Sequence, residues 1–386
     1  MRIPFRKGSP KLNQFVLFKL LMTRITKGPF SKGKMLKKLF VLFATVAFAT
    51  ICTEPAMAAE WSFYGKARIY TSYQTLSKKA SGTGFDDSNL IGPDLQKNSI
   101  FGATAKSGAI GGGFEYGIGI HLRKLYGTWN FDRGTLLVGR TNVPVNLFYS
   151  NQIYGGDAML RPYGAIYGGR RPMIQISIEG FKFAAIEPRA PNDTAFAGTD
   201  TSIPKLEAKY TANLGPVILD IIGGYNKYDL ITDADSNVGI SSYIVGGSVR
   251  SSFGPVYINA GYYFGQNLRA YGLWQAGDDA TGLVQDTAGN WTVEDTSSQG
   301  LLAVLGFKLS DMISFELGYG TNKHENDLWS NDDKTQAYYV NTTLTIAKSS
   351  VFFIVPELGV IDFMDNNSGH PEGTITYFGL KWQINF

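Results

Sequence analysis

The feature that most constrains this chain is an alternation of apolar and polar residues that recurs along most of its length. Its clearest example is the C-terminal segment, whose apolar set comprises Thr376, Phe378, Leu380, Trp382, Ile384 and Phe386. Lys381 and Gln383 lie on the opposite face of the same extended segment. A similar split separates Leu206 from Lys205 and Glu207. Because the polar sets carry too many charges for a buried core, the apolar sets are predicted to face lipid and the polar sets water.

The composition agrees with strands and excludes helical membrane spans. The chain contains 45 Gly, 21 Tyr, 25 Phe and 6 Trp, which is typical of strands joined by tight turns. Its longest apolar run, residues 39–52, is 14 residues long, whereas a transmembrane helix needs about 20. The chain is therefore predicted to be all-β.

The formal net charge of +4 hides an asymmetry between the two ends of the chain. Residues 1–58 hold 11 of the 36 Lys and Arg residues and one acid, Glu54, which leaves 25 basic and 31 acidic residues in 59–386. The main part of the chain therefore has a net charge of −6. An acidic body argues against nucleic acid as a partner.

The basic leader has the three zones of a secretory signal peptide. Lys37 and Lys38 precede the apolar stretch 39–51, and small residues at 56–58 provide a cleavage site. We predict that residues 35–58 are the signal peptide and that the mature domain is 59–386. The chain's one cysteine, Cys52, would leave with the leader, so no disulfide is expected. Residues 1–34 are predicted to be an upstream start, with Met35 the true initiator, or a functional extension.

The connections between the predicted strands alternate in length. Short turns fall at 131–134, 214–216, 253–255 and 310–312, and long polar segments at 77–97, 146–169, 189–202, 268–298 and 322–334. About 16 strands result, from 61–74 to 374–386, with almost no loop after the third, 112–121. Because hydrocarbon leaves no backbone group unpaired, the sheet has to close. We predict a transmembrane antiparallel up-and-down β-barrel of about 16 strands, with short periplasmic turns and long external loops.

Four motifs make residues 59–386 resemble the general bacterial porins, the trimeric diffusion barrels of Gram-negative outer membranes. FYGK at 63–66 looks like the family's first strand, and FDRGTLLVGR at 131–140 like its turn and fifth strand. YGGD at 154–157 is similar to part of the third loop, which folds inward in that family, and Phe386 to the terminal assembly signal. The resemblance implies a homotrimer in the cell outer membrane, in contact with lipid, lipopolysaccharide and the assembly machinery.

The resemblance also implies a pore constriction in which cations of the wall face acids of the third loop. By motif, Lys66, Arg140 and Arg170 match wall cations, and Asp157 matches a loop acid. The chain departs from the family where Gln152-Ile153 replaces the usual Pro-Glu, so a weaker transverse field is expected.

The residues themselves add to this set of candidates. Alternation places Arg68 on the same inward face as Lys66. It also places Arg171 inside, where motif matching favours Arg170, and both remain candidates. Arg161 is the other charged residue of the third loop. Since these cations outnumber the one loop acid, we predict a weak preference for anions, opposed by acidic groups at the mouth.

Enzyme and metal chemistry find little support in the sequence. There is no GxSxG, HExxH, CxxC or phosphate-loop motif, and the histidines are His121, His324 and His370. Acidic pairs such as 332–333 lie in the long connections, where solvation explains them, or where divalent cations could bridge them to lipopolysaccharide phosphates. No enzyme activity, cofactor or specific metal site is predicted.

We therefore expect an outer-membrane porin, a water-filled channel for passive diffusion of ions and small hydrophilic solutes. One alternative is a substrate-specific channel for a sugar or a small anion, in which the tyrosines of the third loop offer a stacking surface. The other is a binding or adhesion barrel that acts through its external loops.

Overall fold

The computed structural model describes residues 59–190, 196–231, 237–277, 280–287, 289–347 and 351–386. The predicted leader and extension, residues 1–58, lie outside this described part of the chain. Within it, sixteen antiparallel strands form the barrel: β1 Glu60–Leu76, β2 Ile100–Ser107, β3 Ile110–Gly117, β4 Leu122–Phe131, β5 Gly134–Asn142, β6 Arg170–Ile178, β7 Phe181–Ile186, β8 Lys205–Leu214, β9 Val217–Ile231, β10 Asn237–Phe253, β11 Val256–Gln266, β12 Ser297–Lys308, β13 Ile313–Glu325, β14 Asp333–Ala347, β15 Phe352–Asp362 and β16 Thr374–Asn385.

The barrel closes between its first and last strands. β1 pairs with β16 from Lys66↔Asn385 to Leu76↔Ile375, so every strand edge finds a partner. The terminal residue Phe386 continues this pairing, because its N–H donates to the Gly65 carbonyl at 3.0 Å and its carbonyl accepts from the Gly65 N–H at 2.6 Å. The prediction of about 16 strands in an antiparallel barrel is confirmed.

Alternation along each strand sets the outer and inner faces as predicted. On β16, Phe378 and Trp382 are 46% and 41% exposed, whereas Tyr377 and Lys381 are 2% and 8% exposed. The apolar rows thus form the outer surface, and the polar rows line the interior. No helix in the described ranges is long and apolar enough to cross a membrane.

The short connections lie at one end of the barrel, which we call the turn end, and the long ones at the other, the loop end. Turns at 215–216 and 254–255 use Gly215 and Gly254 with φ of 67° and 58°, a left-handed conformation that glycine adopts without strain. At the loop end, the third strand is shorter than expected, because a single 3₁₀ turn, Ile118–Ile120, separates β3 from β4.

The loops carry the remaining elements. Asp87–Leu95 pairs with the upper part of β1, and Gly198–Asp200 with β9. The third loop, residues 143–169, contains short strands Asn146–Leu147 and Ile166–Tyr167 and the helical turn Tyr154–Asp157. The helical turn Lys78–Ser81 lies in the first loop, and the sixth loop, 267–296, contains Leu268–Tyr271 and the hairpin Gly282–Gln285 with Trp291–Glu294.

Candidate functional site

The third loop folds into the barrel and packs along one side of its wall. Val145, Leu147 and Ile166 are at most 2% exposed and pack against inward residues of β9, β10 and β11. Leu160 and Tyr163 form a second buried cluster with residues of β12, β14, β15 and β16. The loop therefore covers the wall from β9 to β16 and faces the strands β1 to β6 across the lumen. The expected inward fold of this loop is present.

Two buried carboxylates of the wall hold the loop backbone. Glu316 accepts a hydrogen bond from the Asn151 N–H at 2.7 Å, and Glu357 accepts from the N–H groups of Ile153 at 2.8 Å and Tyr154 at 3.1 Å. Both acids are at most 3% exposed. A buried donor that loses its acceptor costs free energy, so these contacts fix the loop at its middle.

A third wall acid holds the loop at its beginning. Asp220 accepts a hydrogen bond from the hydroxyl of Tyr149, and it also contacts Lys209 at 3.2 Å and Arg250 at 3.1 Å. The Arg250 guanidinium lies 4.5 Å from the centroid of the Tyr149 ring. Asp220 therefore holds the hydroxyl of Tyr149, and Arg250 packs on the face of its ring.

The tip of the loop brings Asp157 against β16 and β1, the two strands between which the barrel closes. Gly155 and Gly156 have φ of 59° and 79°, and this tight turn points the Asp157 carboxylate at Lys381, whose Nζ lies 2.9 Å away. Arg68 Nε is 3.7 Å from the same carboxylate, and the Asn98 amide donates to it at 2.9 Å. The expected pairing of a loop acid with a wall cation occurs, although Lys381 was not among the predicted cations.

Arg161 and Arg170 meet on one aromatic ring beyond the tip. Their guanidinium carbons lie 5.0 and 5.7 Å from the centroid of Tyr167. Arg161 also donates to the backbone carbonyls of Ala158 at 2.8 Å and Asp157 at 2.6 Å. Of the two neighbouring arginines that remained candidates, Arg170 is the one whose guanidinium lies near this loop tyrosine.

A second cationic group on the wall was missed by sequence reasoning. Glu115 of β3 binds Arg123 and Lys124 of β4, each at 2.8 Å. Lys66 is close enough to interact electrostatically with Arg68, Glu115 and Lys124. Strict alternation would send Arg123 and Lys124 to opposite faces, but the β3–β4 register shifts at Glu115, and both side chains reach the carboxylate. This bulge left no signal in the sequence.

We call the charged groups around the tip of the third loop the cationic cluster. Its members are Lys66, Arg68, Arg123, Lys124, Arg161, Arg170 and Lys381, with Glu115 and Asp157 among them. Seven cations and two acids leave a formal excess of five positive charges, which can attract anions.

Two predicted wall cations do not reach this cluster by any contact that the structure records. Arg140 pairs with Leu125 and follows Val138 on the same row, and these two apolar side chains are 57% and 51% exposed on the outer face. The placement of Arg140 in the pore was wrong, because the motif was transferred without the alternation of β5. Arg171 lies on the inward row with Met173, as alternation predicted, further along the wall toward β8.

The histidines show no accessible catalytic arrangement in the described chain. His324 accepts or donates at 2.8 Å to the Ser298 hydroxyl and contacts the Ala276 carbonyl at 3.0 Å. His324 and Ser298 are 0% and 4% exposed, so a solute in the lumen does not reach them. His121 and His370 lie in loops at the loop end.

Comparison with known proteins gives the fold its context. No family model matches the chain, and no curated protein matches it. Among solved structures, the outer membrane channel DcaP of Acinetobacter baumannii is similar at a TM-score of 0.66 and 16% identity, over 86% of this chain and 99% of that one. OmpT, an outer membrane protein of Vibrio cholerae, is similar at a TM-score of 0.56 and 15% identity, over 86% of this chain and 99% of that one. An anion-selective porin from Comamonas acidovorans is similar at a TM-score of 0.54 and 12% identity, over 85% of this chain and 100% of that one. The chain therefore has the fold of outer-membrane porins.

Proposed function

We propose that this chain forms a channel in the cell outer membrane through which ions and small hydrophilic solutes diffuse passively. The observation that carries the proposal is the third loop, which is held inside a closed barrel against the wall from β9 to β16. This placement leaves the polar side of the lumen, along β1 to β6, facing the loop tip. Similar solved structures described as an outer membrane channel and as a porin support the same function.

We also propose that the channel prefers anions. The cationic cluster surrounds the loop tip, and the acid that the loop contributes, Asp157, is already paired with Lys381. A ring of like charge at a narrow point biases which ions enter it. One of the similar structures is an anion-selective porin, which agrees with this direction.

Packing of the loop tyrosines weighs against a sugar-specific channel. Tyr149 is held by Asp220 and Arg250, and the Tyr154 ring centroid lies 4.6 Å from that of Tyr377. Tyr163 is 6% exposed. These rings attach the loop to the wall and leave little of their faces to a passing solute.

Planar-bilayer recording tests the proposal against its alternatives. A diffusion channel gives conductance that rises in proportion to salt concentration, whereas a specific channel saturates and its current is blocked by its own substrate. An adhesion barrel that acts through its loops passes little or no current. Absence of conductance from folded, reconstituted protein would refute the proposal.

The outer face supports a homotrimer, in which one side of the barrel contacts other copies. β2, β3 and β7 have 8, 8 and 6 residues, while a transmembrane strand needs about 9–11. Small residues Ala105, Gly112 and Gly127 follow one another across the outer face of β2, β3 and β4, and Trp61 borders the shallow apolar indentation of 250 Å³ beside them. The exposed Arg140 lies on the same side and is better placed against protein than lipid, where charge is costly.

A matched pair of substitutions tests the trimer. Gly127 and Gly223 both have room for a side chain, since the nearest atom to an added Cβ is 3.9 Å away at each. Gly127→Phe should convert the oligomer to monomer, and Gly223→Phe, on the long outer wall beside Ile221, should not. Light scattering of detergent-solubilised protein measures both. A Gly127→Phe protein that remains trimeric would contradict the proposed interface.

A further inference from the structure

The sixth loop also folds into the barrel, and it contacts the third loop there. Its first part, residues 267–277, which we call the inner segment, buries Leu268 and Tyr271 at 0% exposure and Leu273 at 5%. These side chains share one apolar cluster with Val145 and Ile166 of the third loop. The rest of the sixth loop, including its hairpin, packs instead near the ends of β9 and β10.

Glu207 of β8 joins the two loops through its two carboxylate oxygens. One oxygen accepts from the Val145 N–H at 2.8 Å, and the other accepts from the Tyr271 hydroxyl at 2.8 Å. Lys205 lies 3.2 Å from the same carboxylate and donates to the Tyr271 carbonyl at 2.9 Å, with Nζ 3.5 Å from the tyrosine ring centroid. Glu207, Lys205 and Tyr271 are all at most 4% exposed. A buried carboxylate without its donors is costly, so this arrangement holds both loops together.

The two loops meet again at the far end of the inner segment. The Ala276 N–H donates to the Pro162 carbonyl at 2.8 Å, a direct backbone hydrogen bond between the sixth and third loops. The side-chain amide of Asn322 on β13 is 1% exposed. It donates to the backbone carbonyls of Pro162 and Ala276, each at 2.8 Å. The inner segment is thus attached to the third loop at both of its ends.

We propose that the inner segment is a brace that fixes the position of the third loop and thereby the size of the channel, with Glu207 and Tyr271 as its positioning residues. The inference rests on the proposed channel function. The third loop reaches the wall through the contacts described above, and the inner segment gives it a further support that does not come from the wall strands. A channel with this second support should show a single, steady open level.

Tyr271→Phe tests the brace, because it removes the hydroxyl from Glu207 and keeps the packed ring. Loss of a hydrogen bond to a charged group should raise the time spent in secondary conductance levels by about tenfold to hundredfold. Tyr262→Phe is the matched control, since it removes a hydroxyl that donates to Gln299 at 2.8 Å on the outer face. The control channel should behave like wild type. Wild-type current with an unchanged Tyr271→Phe record would overturn the brace alone, whereas absence of wild-type current would overturn the channel and the brace together.

A disulfide tests the contact independently of conductance. In a Cys52→Ser background, the pair Pro162→Cys with Ala276→Cys places two thiols where the backbones are already hydrogen-bonded, within the reach of a disulfide. Oxidation should form the cross-link in the folded barrel. Added to Tyr271→Phe, the cross-link should restore one steady level, and reduction should return that channel to the unsteady record of Tyr271→Phe alone. A folded barrel that forms no cross-link, or whose current ignores reduction, would refute the brace. A matched pair on the sixth-loop hairpin, Leu283→Cys with Pro162→Cys, should not cross-link.

Discussion

Ion preference gives the sharpest test of the lumen, because the structure supplies both the active positions and a control. Lys66 and Arg123 belong to the cationic cluster, whereas Arg140 lies on the outer face. We consider the double variant Lys66→Gln with Arg123→Gln and, separately, Arg140→Gln. All three substitutions replace a cation with a neutral polar side chain. The double variant removes two charges from the cluster and the control removes one from the outer face, so by its position the control should show no shift at all.

The size of the effect follows from the excess of five positive charges. At about 8 Å in water, one charge acts on another with about 0.5 kcal/mol, which screening over one Debye length reduces to about 0.2 kcal/mol. Five charges favour an anion by about 1 kcal/mol and disfavour a cation equally, so the permeability ratio should be about thirtyfold, a stronger preference than the weak one predicted from the sequence. Removing two of the five should lower this ratio to about eightfold.

Reversal potentials in a salt gradient measure the ratio directly. We expect an anion-selective wild type, a clear shift toward cations in the double variant, and no shift for Arg140→Gln. Raising the salt concentration should weaken the preference in all three proteins because the charges are then more strongly screened. A cation-selective wild type, or a control that shifts as much as the double variant, would refute the assignment of these residues to the constriction.

Three further predictions concern assembly, loop placement and processing. Deleting Phe386 should lower the outer-membrane yield, because the terminal pairing with Gly65 and the proposed recognition by the assembly machinery are both lost; an unchanged yield on membrane fractionation would contradict this. Glu357→Ala should raise conductance and current noise, because the N–H groups of Ile153 and Tyr154 lose their acceptor and each unpaired buried donor costs about 1–3 kcal/mol of free energy. Unchanged single-channel records would contradict this prediction. N-terminal sequencing of membrane-extracted protein should start at Ala59, and recovery of residues 1–34 would reject the proposed signal peptide.

The barrel was predictable because its physics is local. Alternation has a period of two, so the neighbouring residues Leu206 and Glu207 are predicted to lie on opposite faces of their strand. In the structure they are 48% and 3% exposed. Turn lengths then order the strands, and closure follows from the need to pair every backbone group. None of these steps requires knowing which distant residues meet.

The constriction was predictable only in part, because it depends on register and on distant contacts. Lys66 and Arg68 followed from alternation on β1, whereas Arg123 joined them through a bulge that composition does not reveal. Arg140 was misplaced although the alternation of β5 contained the information needed to exclude it. The hydrogen bond from the Ile153 N–H to Glu357 joins residues that are 204 positions apart in the chain, and no local sequence pattern predicts it.

The placement of the third loop and the ion preference have a common origin in how the charges are divided across the lumen. Glu316 and Glu357 lie on the wall behind the loop and accept hydrogen bonds from its N–H groups, so their carboxyl groups hold the loop backbone. Most of the cations lie on the opposite wall, from β1 to β6, and Asp157 and Glu115 offset only part of their charge. Since screening limits each charge to about 8 Å, an ion in the gap responds to the nearer, cationic side more than to the covered acids. Substituting the acids should therefore change the size and steadiness of the channel, and substituting the cations should change its ion preference.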